Sequence, residues 1–242
     1  MPLAVCATPI GNLEDVTLRV LAELREAAVV LAEDTRHTRG LLERHGIRAK
    51  LLSYHEHNEA ARVAELLPRL AAGERIALVS DAGMPGVSDP GARLVRAALD
   101  AGIEVTVLPG PSAVETALVA SGLTGGRYAF VGFLPRKAAE LVALWRETAA
   151  WECPVVAFES PHRLSAALSS LAAFDPEREV AVCRELTKRF EEVVRGTAAT
   201  DPEQARQAVA DLVTAGTPRG VAAEVVARLT DTSRNDLYRG SL

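Results

Sequence analysis

Val79-Ser80-Asp81-Ala82-Gly83-Met84-Pro85-Gly86-Val87-Ser88-Asp89-Pro90-Gly91 is the stretch whose reading decides the fold. An apolar run, Ile76 to Val79, leads into it and reads as a buried strand, and a helical run, Ala92 to Ala101, leads out. Connections in α/β units usually take about 2–6 residues. This one is longer and is built of Gly, Pro, Asp and Ser. Asp89 is expected to cap the following helix, with Pro90 in its first turn. A loop of this kind at the carboxyl end of a strand is where open α/β sheets bind ligands, the plain alternative being an elaborate surface loop.

The same pattern recurs on both sides. Leu3 to Ala7 is a short strand ending in Thr8-Pro9-Ile10-Gly11-Asn12, followed by a helix from about Val16 to Ala27. Ala28 to Ala32 is a strand ending at Glu33-Asp34-Thr35-Arg36-His37, where Asp34 can cap a helix that runs to His45. Leu51 to Tyr54 is extended, and Asn58 is placed to cap a helix from Glu59 to Ala72. Ile103 to Leu108 is a further strand running into Pro109-Gly110-Pro111-Ser112-Ala113-Val114-Glu115, where Ser112 and Glu115 have capping-box spacing. Repeated β-α-β-α predicts a mostly parallel, doubly wound sheet. Right-handed crossovers bring these strand-end loops to one edge, which predicts a small-molecule site there.

After Leu123-Thr124-Gly125-Gly126-Arg127 the pattern restarts. Strands are expected at Tyr128 to Phe133, Val155 to Phe158, Val180 to Cys183 and Phe190 to Arg195, the last antiparallel to its neighbour. The expected organisation is an α/β domain over 1–124, a smaller mixed-sheet α/β domain over 127–200, and a helical tail over 201–242.

Composition narrows the function. Of 242 residues, 48% are apolar and 24% charged, as in ordinary globular chains. No apolar run approaches the roughly 20 residues of a membrane helix, and no signal peptide is evident, so a cytoplasmic protein without membrane partners is expected. Three scattered cysteines, Cys6, Cys153 and Cys183, read as free thiols rather than a zinc or disulfide framework. A net charge of −5 argues against a general polyanion binder, and DNA is not an expected partner. It leaves room for a local basic face, and Arg36, Arg39, Arg44, Arg48 and Lys50 make either a solvated helix face or an RNA contact. Four of the five histidines fall between His37 and His57 without the spacing of a third ligand, so no metal is expected.

The chain carries no G-x-G-x-x-G after its first strand, no P-loop, no H-E-x-x-H and no G-x-S-x-G. A backbone-rich cleft with few strong nucleophiles suits a ligand that brings its own reactivity, such as S-adenosylmethionine, and needs only to be oriented. Asp34 and Asp81 both end strands near the expected cleft, and each is equally a helix cap or turn former.

Several motifs in order then carry a resemblance. They are Ala7-Thr8-Pro9-Ile10-Gly11-Asn12-Leu13, Ala32-Glu33-Asp34-Thr35-Arg36-His37-Thr38, Ser53-Tyr54-His55-Glu56-His57-Asn58-Glu59, Ser80-Asp81-Ala82-Gly83-Met84-Pro85 and Ser88-Asp89-Pro90-Gly91. Pro109-Gly110-Pro111-Ser112-Ala113, Gly132-Phe133-Leu134-Pro135, Glu159-Ser160-Pro161-His162-Arg163 and Arg184-Glu185-Leu186-Thr187-Lys188 continue the series. The chain resembles the bacterial small-subunit (16S) ribosomal RNA cytidine 2′-O-methyltransferases of the tetrapyrrole methylase superfamily.

That resemblance implies a two-domain tetrapyrrole-methylase-like fold, a homodimer, and S-adenosylmethionine in the cleft between the domains. It implies methyl transfer to the ribose 2′-hydroxyl of a decoding-centre cytidine in the small ribosomal subunit. It places Pro9, Gly11, Asp81, Ala82, Gly83, Pro85, Ser88, Ser112, Ala113, Phe158, Glu159 and Ser160 at the cofactor, and Arg36, His37, Arg39, His162 and Arg163 toward the RNA. A ribose hydroxyl is weakly acidic, so a base would help. Glu33, Asp34, His55 and Glu159 are candidates, with Asp34 and Glu159 chosen. Other readings are a small-molecule methyltransferase of tetrapyrrole type and a non-catalytic ribosome-binding module. The family carries a longer basic stretch after Lys137 and a further strand after Gly196-Thr197, so interruptions of the chain are expected near Lys137–Glu140 and Gly196–Asp201.

Overall fold

A computed structural model describes residues 2–199, and the tail helices expected over 201–242 lie outside the described residues. The chain divides into two compact units. Among the described residues, unit 1 is 2–116 with 185–191, and unit 2 is 117–184 with 192–199.

Unit 1 alternates strand and helix: β1 (Leu3–Cys6), α1 (Leu18–Glu26), β2 (Val29–Ala32), α2 (Thr35–Arg44), β3 (Leu51–Ser53), α3 (Glu59–Ala71), β4 (Ile76–Leu78), α4 (Ala92–Asp100) and β5 (Val105–Leu108). The sheet order is β3-β2-β4-β1-β5, and every pairing is parallel. All five carboxyl ends therefore share one edge.

Side chains alternate across the sheet. Ala4, Cys6, Val30, Ala32, Ala77 and Val79 pack under α1 and α2, through Val20, Leu21, Leu24, Leu41 and Leu42. Leu3, Val5, Val29, Leu31, Ile76 and Leu78 pack under α3 and α4, through Leu66, Leu70, Leu94 and Ala98. The chain winds β1-β2-β3 with its helices on the first face, then returns through β4 and β5 on the second. Adjacent β1 and β4 thus send their exits to opposite faces, which opens a crevice at the shared edge. Cys6 faces the first core, where burial above all, then Glu23, pushes its thiol up to about 12, so it is an inert packing group.

Unit 2 takes the remainder of α5 (Ala113–Ser121), within which the division falls. It then holds β6 (Ala129–Phe133), α6 (Ala138–Ala149), β7 (Val155–Phe158), α7 (Pro161–Phe174), β8 (Glu179–Arg184) and β9 (Glu192–Thr197). β6 and β7 pair in parallel, while β8 and β9 form an antiparallel hairpin. Leu134, Leu141, Trp145 and Ala167 form a core between α6, α7 and β7, and the Trp145 indole N–H donates to Ser170 Oγ at 3.1 Å.

Two expectations are corrected. Asn58 does not cap α3: its amide oxygen accepts from the His55 N–H at 2.9 Å and its amide nitrogen donates to the Ser53 carbonyl at 3.2 Å. Asp89-Pro90 does not open α4, which starts two residues on with Gly91 as N-cap and no side-chain cap. Lys137 takes the N-cap position of α6, where its carbonyl accepts from the Leu141 N–H at 3.0 Å, and Asp201 lies outside the described residues.

Candidate active site at the carboxyl edge of the sheet

The β1 and β4 exits are zipped together. The Thr8 N–H donates to the Gly83 carbonyl at 2.8 Å, the Gly83 N–H returns to the Thr8 carbonyl at 3.1 Å, and Thr8 Oγ1 donates to the Ser80 carbonyl at 3.0 Å. Gly83 makes this bridge with φ of +83°, which a side chain would strain. Beside the bridge lies a small hollow lined by Thr8, Pro9, Leu13, His37, Thr38, Leu41, Ser80 and Asp81.

Three carboxyl groups from two loops act on one another here. Asp81 Oδ1 accepts the Asp34 backbone N–H at 3.0 Å, tying the β4 exit to the β2 exit. Burial, then the charge of Asp81, raises Glu33 above the usual carboxylate range, with His55 opposing. Burial, then Glu33 and Asp81, pushes half-buried Asp89 up to about 6. His55 Nδ1 is buried without a hydrogen-bond partner, and its ring lies edge-on to His57. An acidic cluster of this kind favours a cationic ligand group.

Asp34 has a different part. Its carboxylate accepts the Arg36 N–H at 2.8 Å, capping α2 as expected, and is gripped by the Arg36 guanidinium at 2.7 Å. Those bonds hold it well below the usual carboxylate range. Arg36, His37 and Arg39 lie on exposed positions of α2. His45 is structural, with its Nε2 3.0 Å from the Leu13 carbonyl.

The loop 185–191 belongs to unit 1 and is pressed onto the β1 exit. The Asn12 N–H donates to Thr187 Oγ1 at 3.0 Å, and a Cβ on Gly11 would come within 2.6 Å of Lys188 Cγ and 2.8 Å of the Leu186 carbonyl. Glu185 and Thr187 hold φ of +50° and +66°, conformations uncommon for side-chain-bearing residues.

Of the other expected residues in unit 1, Ala82 and Ser88 are exposed on the β4 loop, with Ser88 at φ of +63°. Ser112 Oγ donates to the Glu115 carboxylate at the start of α5, so the two side chains meet each other. In unit 2, the end of β7 holds Phe158 edge-on to Phe130 and Phe133, with ring centroids 4.9 and 5.4 Å away. Glu159 is buried there. Its Oε1 accepts the Ser160 N–H at 2.6 Å, and its Oε2 lies 3.1 Å from the Arg163 guanidinium. Arg163 also donates to the Leu134 and Pro135 carbonyls, whereas His162 is exposed.

Sequence reasoning missed Glu59, whose carboxylate accepts both the Tyr54 hydroxyl at 2.9 Å and the Gly91 N–H at 3.0 Å. No local pattern announces a cap supplied from another helix. It also missed Asp89 as a member of the acidic cluster, because Asp-Pro before a helix reads as a cap.

A doubly wound parallel unit with its loops at one edge, followed by a smaller α/β unit, is an α/β architecture suited to a ligand at the strand ends, and comparison gives its family. Residues 2–200 match the family model of the Tetrapyrrole (Corrin/Porphyrin) Methylases, and the chain belongs to that family. Its curated relatives include the "Ribosomal RNA small subunit methyltransferase I" of Halalkalibacterium halodurans, 47% identical over 85% of this chain and 71% of that one. The protein of that name from Neisseria meningitidis serogroup A is 39% identical, covering 98% of this chain and 91% of its own. That alignment spans 265 positions, more than the 242 residues here, so the relative carries segments this chain lacks. Among solved structures, the methyltransferase CobJ superposes with a TM-score of 0.63 at 24% identity, covering 83% of this chain and 88% of that one. A uroporphyrin-III C-methyltransferase from Thermus thermophilus, complexed with S-adenosylhomocysteine, gives 0.56 at 20% identity over 81% and 88%.

Proposed function

We propose that this chain transfers the methyl group of S-adenosylmethionine to the ribose 2′-hydroxyl of a decoding-centre cytidine in small-subunit ribosomal RNA. The observation that supports the reading is 47% identity across most of a relative named as a methyltransferase of small-subunit ribosomal RNA. A cytoplasmic homodimer acting on the small subunit is part of the same proposal.

The residues present fit the methyl donor. When bound, S-adenosylmethionine supplies a methyl group on a sulfonium, a leaving group that needs no activation. Unit 1 then has to orient it, exclude water and balance its positive charge. In this reading Pro9, Gly11, Ala82, Gly83, Pro85, Ser88, Ser112 and Ala113 shape the donor pocket. Asp81 sits in the cluster that neutralises the cation. Phe158, Glu159 and Ser160 are the donor contacts we assign to unit 2.

Of the candidate bases, Asp34 is engaged by Arg36 and Glu159 by Arg163 and the Ser160 N–H. Glu33 carries no such engagement, and burial, then the charge of Asp81, raises its carboxyl group and makes it a better proton acceptor than an ordinary carboxylate, whereas His55 Nε2 lies 3.3 Å from the Asn58 amide nitrogen. Arg36, His37 and Arg39 in unit 1, and His162 and Arg163 in unit 2, are assigned to the RNA. Arg36 doubles as the partner of Asp34.

The test is methyl transfer from labelled S-adenosylmethionine to small subunits isolated from cells lacking the activity, with the label mapped by mass spectrometry. A single ribose-methylated cytidine is expected. Transfer to a tetrapyrrole and not to subunits would replace the reading. Sedimentation of the purified protein checks the homodimer. Arg39→Ala is expected to weaken subunit binding and to reduce the salt-dependence slope by about 1, with donor binding unchanged. An unchanged slope would remove α2 from the RNA face.

The acidic cluster sets a pH dependence. Asp89 ionises near 6 in the folded chain and about 2 units lower when unfolded. Between those values the folded state holds the extra proton, so this group's contribution to stability falls as pH rises and is lost above about 6. Donor binding runs the other way: ionised Asp89 adds negative charge, so S-adenosylmethionine binding strengthens as pH rises through about 6. S-adenosylhomocysteine, which lacks the sulfonium charge, shows a smaller step. Asp89→Asn is expected to remove the step and to raise stability at neutral pH by about 1 kcal/mol, the shift being reduced by solvent screening. Calorimetry with both ligands checks it, and equal steps for the two would exclude a charge effect.

A further inference from the structure

We propose that Glu59 is a positioning residue of the methyl-donor site, capping α4 from α3 and thereby keeping the Asp89 carboxyl group in the acidic cluster. The inference rests on the reading that the strand-end loops of unit 1 hold S-adenosylmethionine.

The geometry is unusual for a helix start. Helix N-termini leave backbone N–H groups without intrahelical partners, and a Ser, Thr, Asp or Asn at the cap normally serves one of them. α4 has Gly91 at that position and no side-chain cap. The Gly91 N–H instead donates to Glu59 Oε1 at 3.0 Å. The same oxygen accepts the hydroxyl of Tyr54, a side chain that is 1% exposed, at 2.9 Å. Glu59 thus links the end of β3 to the end of the β4 loop across 32 residues of chain.

The consequence falls on Asp89. Asp-Pro immediately before a helix would ordinarily turn its carboxylate onto the helix start. Here the Gly91 N–H goes to Glu59 and the Leu94 N–H to the Tyr54 hydroxyl, and half-buried Asp89 lies where the charges of Glu33 and Asp81 act on it. The charged and titratable groups around this corner are Glu33 after β2, Tyr54 and His55 after β3, Glu59 on α3, Asp81 after β4 and Arg93 on α4. Without Glu59 the Gly91 N–H loses its acceptor, and Asp89, two residues before it, is placed to supply one as an Asx turn, which draws its carboxylate out of the cluster.

The test is calorimetric binding of S-adenosylmethionine to the full chain from about pH 5 to about pH 8, a range bracketing a raised carboxylate. Native protein, Glu59→Ala, Glu59→Gln and Glu59→Asp are compared, with thermal midpoints recorded for each. Glu59→Ala is expected to bind at least about tenfold more weakly, the scale of one charge-assisted hydrogen bond, and to move the affinity step to lower pH. Glu59→Gln keeps an oxygen for the Gly91 N–H and is expected to stay within about threefold of native, with its step in place. A Glu59→Ala protein with a lower thermal midpoint but native affinity and a native step would overturn the proposal, leaving Glu59 a structural cap alone. If Glu59→Ala does not fold, Glu59→Asp decides, because its carboxylate is one methylene further from the Gly91 N–H: a weaker affinity with a shifted step supports the proposal, and an unchanged profile overturns it. Native protein that binds without a step near pH 6 also overturns it. Native protein that does not bind the donor at all overturns the reading beneath it instead.

Discussion

Gly91→Ala is expected to destabilise unit 1 by about 3–5 kcal/mol and to abolish donor binding, the sum of backbone strain and an overpacked core. Gly91 has φ of +139°, a conformation that L side chains rarely adopt. A Cβ there would meet Leu78 Cδ2 at 2.9 Å and the Gly86 nitrogen at 3.3 Å. Leu78 is 1% exposed and packed between α3 and α4, so it has no free space to move into. Relief by shifting the backbone would carry Gly91 away from the Glu59 carboxylate and would open the 81–91 loop. Urea denaturation and donor titration check both effects. A variant with native midpoint and native affinity would show that the loop relaxes at no cost. Gly73→Ala is the natural control: it also has positive φ, at +84°, but nothing lies within 4 Å of its added Cβ, so a cost of only about 1–2 kcal/mol is expected.

Arg75→Ala is expected to cost about 3–5 kcal/mol, the scale of leaving a buried charge without its partner. Glu23, on α1 under the first face of the sheet, is 3% exposed. Its two carboxylate oxygens accept from Arg75 Nε and Nη2, each at 2.7 Å, in the bidentate arrangement that suits guanidinium and carboxylate. Arg75 also pairs with Glu26 and precedes β4 directly, so the group joins α1 to the strand that leads into the 81–91 loop. Removing only the arginine strands the Glu23 charge. Removing both, as Glu23→Leu with Arg75→Met, is expected to recover most of the loss, because an apolar pair of similar volume needs no hydrogen bonds. Thermal and urea denaturation of the two single variants and the double variant check this. Additive losses would mean that the two residues do not act on each other.

The order of elements in unit 1 was legible because each strand is a short apolar run and each exit is marked by Pro, Gly, Asp or Ser. Asp34 could be read as the α2 cap because its partner is the N–H two residues on. Asp89 could not be read, because its local pattern promises a cap that Glu59 supplies from 30 residues earlier in the chain. The Asn58 reading failed for a related reason: its amide had two better partners at Ser53 and His55.

The sequence by itself determined the β-α periodicity, the parallel sheet, the edge at which the loops gather and the methylase resemblance. These rest on hydrophobic spacing and on turn chemistry, which act between near neighbours. Only the tertiary structure decided the sheet order β3-β2-β4-β1-β5, the Thr8–Gly83 bridge, the mutual charge of Glu33, Asp81 and Asp89, and the capping of α4 by Glu59. Those depend on which strand ends become neighbours. Burial then sets the strength of each hydrogen bond and charge according to what lies beside it in space rather than in sequence.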